Sequence, residues 1–190
     1  RPKMEPRLHD EAVARGYLRY CPVCDGYEVT DRRVAVVGMG ARGAREAIFL
    51  RSYTQDVSLV SPEPQDQLDA DDRRRLGEAG VRVLRGPAAD YGLEPDGLSF
   101  ACGEGRLTFA SVYPAMGSIV RSDLASDLGA KVSADGCVLV DAHQRTSVQR
   151  LYAAGDVVIG LDQISHAMGQ AGVAATAIRN DLAACRPQLR

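Results

Sequence analysis

The feature that most narrows what this chain can fold into is Gly38-Met39-Gly40-Ala41-Arg42-Gly43, a G-x-G-x-x-G set between an apolar, β-branched run at residues 33–37 and a helical stretch at residues 44–51. In a strand–turn–helix unit the first glycine permits the tight turn, the second lets the backbone approach a pyrophosphate, and the third lets helix and strand pack closely. The helix start supplies unpaired N–H groups and a positive dipole end, to which Arg42 would add charge. Alone, the motif also suits a plain glycine turn in an α/β domain. Its flanks favour the nucleotide reading. Residues 57–60 read as a second strand, residues 69–79 as a polar helix stopped by Gly80, and residues 81–84 as a third strand. This β-α-β-α-β run implies parallel strands joined by right-handed crossovers. Between residues 88 and 113, turns at Pro95-Asp96-Gly97 and Gly103-Glu104-Gly105 separate short segments, which predicts an antiparallel meander. Glu63 lies twenty residues past Gly43, beyond the second strand, where a carboxylate accepts hydrogen bonds from ribose hydroxyls and favours NAD over NADP. A solvated loop acid is the other reading of Glu63.

Upstream stands Cys21-Pro22-Val23-Cys24, after a charged, Pro-containing linker at residues 1–8 and a short helix at residues 9–15. C-x-x-C spacing brings two sulfurs within disulfide range and commonly lowers a thiol pKa. A zinc knuckle needs a second pair of ligands, and Cys102 and Cys137 are isolated, so redox exchange is the better reading and no metal is assigned. Asp25 would protonate a departing thiolate if burial raised its own pKa, and is otherwise a turn former with Gly26. His9 and His143 sit among polar residues and read as solvent-exposed, while His166 on the last helix reads as a packed or surface residue. Cys102, Cys137 and Cys185 read as small hydrophobes or exposed thiols. Arg73-Arg74-Arg75 reads as a solvated helix face paired locally with Asp71 and Asp72.

The formal net charge is -2, with acids and bases interspersed, and offers no basic stripe for nucleic acid. An apolar content of 45% supports a core, no apolar run approaches a membrane span, and the first residues carry no secretory apolar stretch, so a cytoplasmic protein is the default. Five cysteines, an odd number, do not suggest a secreted disulfide framework. The start at Arg1 without methionine is expected of a piece of a longer chain. Beyond residue 117, residues 138–140 and 151–153 read as strands and residues 163–182 as a long Ala-rich helix.

The order Cys21-Pro22-Val23-Cys24-Asp25-Gly26, then Val34-Ala35-Val36-Val37-Gly38-Met39-Gly40, then Leu151-Tyr152-Ala153-Ala154-Gly155-Asp156-Val157 resembles the low-molecular-weight thioredoxin reductases across essentially the whole chain. The resemblance implies an NAD(P)-binding domain at residues 9–118 carrying the redox pair, with Ala115-Met116-Gly117 at the crossing. It then implies the C-terminal part of a second, FAD-binding Rossmann-like domain at residues 119–190, the N-terminal part lying before Arg1. It further implies FAD and NAD(P)H as cofactors, with Gly155, Asp156, Gln163 and Ile164 toward the flavin: Asp156 on its sugar-like chain and Gln163 at the isoalloxazine. Cys24 would face the flavin and Cys21 would attack thioredoxin or another disulfide, with domain rotation exchanging partners and a homodimer held open. Two positions depart from the family: Ser61-Pro62-Glu63 stands where it has an arginine pair for the 2′-phosphate of NADP, and Asp162 where it has an arginine. The alternatives are an oxidoreductase of this framework with another acceptor, an oxidase, or a truncated nucleotide-binding module without catalysis.

Overall fold

The computed structural model describes residues 2–186. Contacts divide it into two units, Arg1–Gly117 and Ser118–Arg190.

The first unit is built on β1 (Val34–Gly38), a strand in which every residue is buried. Buried on both faces, such a strand suits the interior of a parallel sheet. β1 pairs in parallel with β2 (Val57–Val60) on one side and with β7 (Ser111–Ala115) on the other, and β3 (Arg82–Leu84) completes the order β3-β2-β1-β7. Side chains of β1 alternate between two cores. Val34 and Val36 meet α3 (Gly40–Leu50) and α4 (Ala70–Glu78) through Ala44, Ala47, Leu50 and Leu76. Ala35 and Val37 face the antiparallel sheet β4-β5-β6 (Ala89–Glu94, Gly97–Cys102, Gly105–Phe109) through Leu98, Phe100 and Phe109. At about 25 cal/mol per Å² of apolar area, each such valine or leucine contributes about 1.5–3 kcal/mol. The parallel Rossmann-type sheet with an antiparallel meander is the fold class that the glycine motif and its flanks imply.

Pro114 is tolerated because β7 is the edge of the parallel sheet. That edge is covered: Leu18 bridges Val112 in parallel, Val112 N donates to Tyr17 O at 2.8 Å, and Arg19 N donates to Val112 O at 3.0 Å. The chain thus arrives at Cys21 directly from the side of β7. Here the linker expectation for residues 1–8 is corrected. α1 (Pro6–Ala14) begins at Pro6, Glu5 caps it by accepting from Leu8 N at 3.0 Å, and Met4 packs on the core beneath the meander. Proline suits a first helical turn, whose N–H groups lack acceptors anyway.

The second unit holds a short α5 (Asp123–Asp127) and the long α6 (Ile164–Cys185). The strands expected at residues 138–140 and 151–153 do not form among the described residues: Val138 makes isolated bridges with Val132 and Val158, and Tyr152 one with Arg145. The segment is held by scattered backbone hydrogen bonds, such as Val138 N to Val157 O at 2.8 Å and Thr146 N to Leu151 O at 3.0 Å, and by side chains. Arg145 grips Asp181 of α6 through Nε and Nη2, both at 2.7 Å, and Tyr152 Oη donates to Asp181 Oδ2 at 2.6 Å, which together hold the Asp181 carboxyl below the usual carboxylate range.

Candidate functional site

The two cysteines occupy one turn of chain. Cys21 caps α2 (Pro22–Asp25), Pro22 fills its first position, and Cys24 N reaches Cys21 Sγ at 3.2 Å. The sulfurs are joined as a disulfide, with the Cα atoms 5.2 Å apart, and Cys24 is the more exposed of the pair. A 3-10 turn (Gly26–Val29) follows. Gly26 is required by contact, because a Cβ there would stand 2.7 Å from the ring of Tyr53. α2 packs beside α3, and Gly26 meets Tyr53 just past the carboxyl end of that helix.

In the glycine motif the left-handed backbone falls at Gly40 (φ +53°) rather than at Gly38. What demands glycine at 38 is close packing: a Cβ would lie 2.8 Å from Ala115 Cβ and 3.1 Å from Gly43 Cα. Gly43 returns the contact, its own Cβ position being 2.8 Å from Gly38 C. Gly40 N donates to Asp66 O at 2.8 Å, which braces the turn. At the carboxyl ends of β1 and β7, where strand order reverses, Gly38, Met39, Arg42, Pro62, Ala115 and Met116 line a pocket of about 140 Å³. Open α/β sheets bind ligands at this switch point. Gly117 (φ +77°) closes the unit, and its missing side chain leaves room for Arg42, whose Cζ would be 3.3 Å from a Cβ. Glu63 is exposed in the loop after β2, next to pocket-lining Pro62. The buried Ser61 hydroxyl fixes that loop by accepting from Glu63 N and donating to Gln65 O, both at 3.0 Å.

Four of the residues named from sequence lie in the second unit. Gly155 takes a positive φ of +84° and its N–H donates to Gln170 Oε1 of α6 at 2.7 Å. Asp156 is exposed, Gln163 is the residue before the first turn of α6, and Ile164 is 82% exposed.

Two groups that sequence reasoning passed over meet Asp25. Tyr113 Oη donates to Asp25 Oδ1 at 3.0 Å, and Arg19 Nη1 lies 3.2 Å from Asp25 Oδ2 and 2.7 Å from Glu28 Oε2. Asp25 is therefore a paired, half-buried carboxylate rather than one isolated by burial. His9, read as exposed, has a side chain only 14% accessible and lies between Asp10 Oδ1 (2.9 Å) and Tyr20 Oη (2.8 Å). No spacing rule links residues so placed. Arg74 pairs with Asp71 and Glu78, whereas Arg73 reaches back to Asp66 at 2.8 Å and Asp72 is buried. Burial pushes the Cys102 thiol up, which suits an inert side chain. No helix among the described residues is long and apolar enough to cross a membrane.

The sequence profile of the pyridine nucleotide-disulphide oxidoreductases matches residues 4–171. An alkyl hydroperoxide reductase component of Pseudomonas putida is 29% identical over 170 residues, covering 84% of this chain and 32% of its own length. The thioredoxin reductase of Peptoclostridium acidaminophilum is 26% identical over 200 residues, covering 90% of this chain and 60% of its own. Among solved structures, HlmI superposes with a TM-score of 0.79 at 31% identity, covering 87% of this chain and 52% of its own. The chain spans less than two thirds of the length of each of these relatives.

Proposed function

The chain belongs to the pyridine nucleotide-disulphide oxidoreductase family, and from that premise we propose that it supplies the nicotinamide site and the redox pair of a flavin-dependent disulfide reductase. The observation that carries this reading is the Cys21–Cys24 disulfide on a short helix packed beside the helix that the glycine motif opens. In this reading residues 9–118 form the NAD(P)-binding domain and residues 119–190 contribute to an FAD-binding one.

The residues of the first unit fit a dinucleotide. Gly38 and Gly43 bring strand and helix too close for any side chain between them, so the pyrophosphate would meet bare backbone at the start of α3, with Arg42 and Gly117 at its rim and Glu63 toward the ribose. In the second unit the exposed Asp156 carboxylate fits sugar-like hydroxyls, and Gly155, Gln163 and Ile164 bring the amino end of α6 to the same edge, where developing negative charge is favoured. Bound FAD would supply two-electron redox chemistry between NAD(P)H and the disulfide. Cys21 and Cys24 then hold those electrons as a dithiol and pass them on by thiol exchange, with Cys24 toward the flavin and Cys21 toward the substrate. A relative named as a thioredoxin reductase supports a disulfide acceptor, thioredoxin included. The cell compartment in this reading is the cytoplasm.

Thiol counting tests it. Reduction should reveal two thiols beyond those of Cys102, Cys137 and Cys185, and oxidised glutathione should remove them again. In the flavoprotein, Cys24→Ser should lower disulfide reduction by about a hundredfold or more while NAD(P)H still reduces the flavin in rapid mixing. Disulfide reduction at the wild-type rate would refute the pair as the conduit.

A further inference from the structure

A dinucleotide fingerprint needs its second glycine open, because the backbone there must approach the pyrophosphate. In this chain that position is covered from within. Gly40 N, at the first residue of α3, donates to Asp66 O at 2.8 Å, and Gln67 O lies 3.4 Å from where a Gly40 Cβ would stand. Two carbonyl oxygens thus lie at the helix start, which is where a site of this kind binds an anion. The pocket beside the turn measures about 140 Å³, small against the roughly 300–1,000 Å³ of ordinary ligand sites. The covering residues, Pro64-Gln65-Asp66-Gln67, run between two fixed points. Before them Ala88 N donates to Ser61 O at 2.9 Å, and after them Leu68 is buried in the core that β1 shares with α3 and α4. Between these points side chains do the holding. Ser61 Oγ donates to Gln65 O at 3.0 Å, Asp66 Oδ1 accepts from Leu68 N at 3.1 Å, and Arg73 Nη2 of α4 donates to both Asp66 oxygens, at 2.8 and 3.0 Å. Gln67 is exposed and takes a left-handed φ of +54°, a conformation that costs a residue with a long side chain.

We infer that residues 64–67 are a strap closed over the glycine turn and latched by Arg73, which must lift from Gly40 before a pyrophosphate seats on the start of α3. The inference rests on the nicotinamide reading of the first unit and adds a conformational step to it. Strap and ligand compete for one place: the Gly40 N–H is committed to Asp66 O, and a carbonyl oxygen repels a phosphate brought into contact with it. Lifting breaks that backbone hydrogen bond and the pairing of Asp66 with Arg73. It also lets Gln67 return to ordinary backbone, which offsets part of the loss. A dinucleotide that binds only the open form draws the chain toward it, and its apparent affinity is lowered by the fraction of chains that are open. Glu63 stays in place in both forms, because its N–H is held by Ser61 on the fixed side of the strap.

The test uses the full chain with NADH as the probe. Arg73→Ala removes an exposed cation, whose direct effect on an anionic ligand would be to weaken binding. Loss of a latch does the opposite, and NADH should bind about threefold more tightly in calorimetric titration. Gln67→Asn should hold the strap down, because asparagine accepts left-handed backbone more readily, and should weaken NADH binding about twofold. The Gly40 amide gives a readout that needs no ligand: its hydrogen exchange, followed by NMR, should quicken in Arg73→Ala and slow in Gln67→Asn. Weaker or unchanged NADH binding in Arg73→Ala, or Gly40 exchange that neither substitution moves, would overturn the strap while leaving the nicotinamide reading in place. If NADH binds none of the three proteins, the nicotinamide reading itself falls and the inference falls with it.

Discussion

At Gly43 a methyl group would stand 2.8 Å from the carbonyl carbon of Gly38 and 3.2 Å from Leu59 Cδ1. Backbone cannot step aside as a flexible side chain would, so Gly43→Ala should cost about 2 kcal/mol in urea unfolding and weaken NADH binding, since α3 must move off β1. Wild-type stability in Gly43→Ala would contradict the close approach. Three residues along the same helix, Glu46 has a buried Oε1 with no hydrogen-bond partner among the described residues. Burial raises its carboxyl from 4.5 to about 7 against the opposing pull of Arg42. Between those values the folded chain binds a proton that the unfolded chain has released, so stability falls as pH rises through that window. Glu46→Gln keeps the shape without the charge. It should stabilise the chain by about 1 kcal/mol at pH 8, a figure reduced for solvent screening of a half-buried group, and by nothing at pH 4. A gain independent of pH would show that charge burial is not the cause.

At the scale of elements, the loop leaving β2 is where the proposed nicotinamide site would discriminate between donors. Ser61 ties it from within, and the tip of Gly86 presses on it, a Cβ there falling 2.5 Å from Glu63 O. Glu63 is therefore presented by a braced turn at the strand end, where its charge would repel a 2′-phosphate. NADH should bind at least as well as NADPH, and Glu63→Arg should raise NADPH affinity relative to NADH about tenfold in calorimetric titration. An NADPH preference of about a hundredfold in the wild type would remove Glu63 from the site. The elements themselves were unevenly legible. α4 reads well because its cap is local, Asp69 accepting from Asp72 N at 2.8 Å. The run around Val138 misleads because β-branched residues favour a strand only where a neighbour completes the ladder, and here the partners are single bridges.

At the scale of the molecule, the two units differ in how they meet water. The first encloses two cores around one sheet. In the second, Ile119 is 93% exposed, Leu124 77% and Met168 70%, and α6 buries only Ala174 and Ala177. Apolar surface on this scale invites association. The 190-residue chain should bind NADH through its first unit but hold clearly less than one FAD per chain, because no strand, glycine turn and helix stand beside Asp156 among the described residues of its own unit. It should also self-associate in gel filtration. Purification with added FAD, removal of free flavin and an absorption spectrum test the first point; a retained yellow chromophore near one per chain would contradict it.

The sequence by itself determined the strand, glycine turn and helix, the cysteine turn and the meander, because each is written in contacts between residues a few positions apart: caps, turn glycines, and alternation along a strand. It also carried the family, through three motifs in order. Only the tertiary structure decided what surrounds Asp25. Tyr113 is 88 residues away in sequence and reaches it solely because β7 pairs with β1 in the register Val36↔Tyr113, while Arg19 is set by a segment bonded along the other edge of β7. The demand for glycine at 38 likewise comes from Ala115 on the neighbouring strand. Contacts of this kind are fixed by sheet register and edge coverage, which sum many burial and ladder interactions over the whole unit, and no local spacing encodes them.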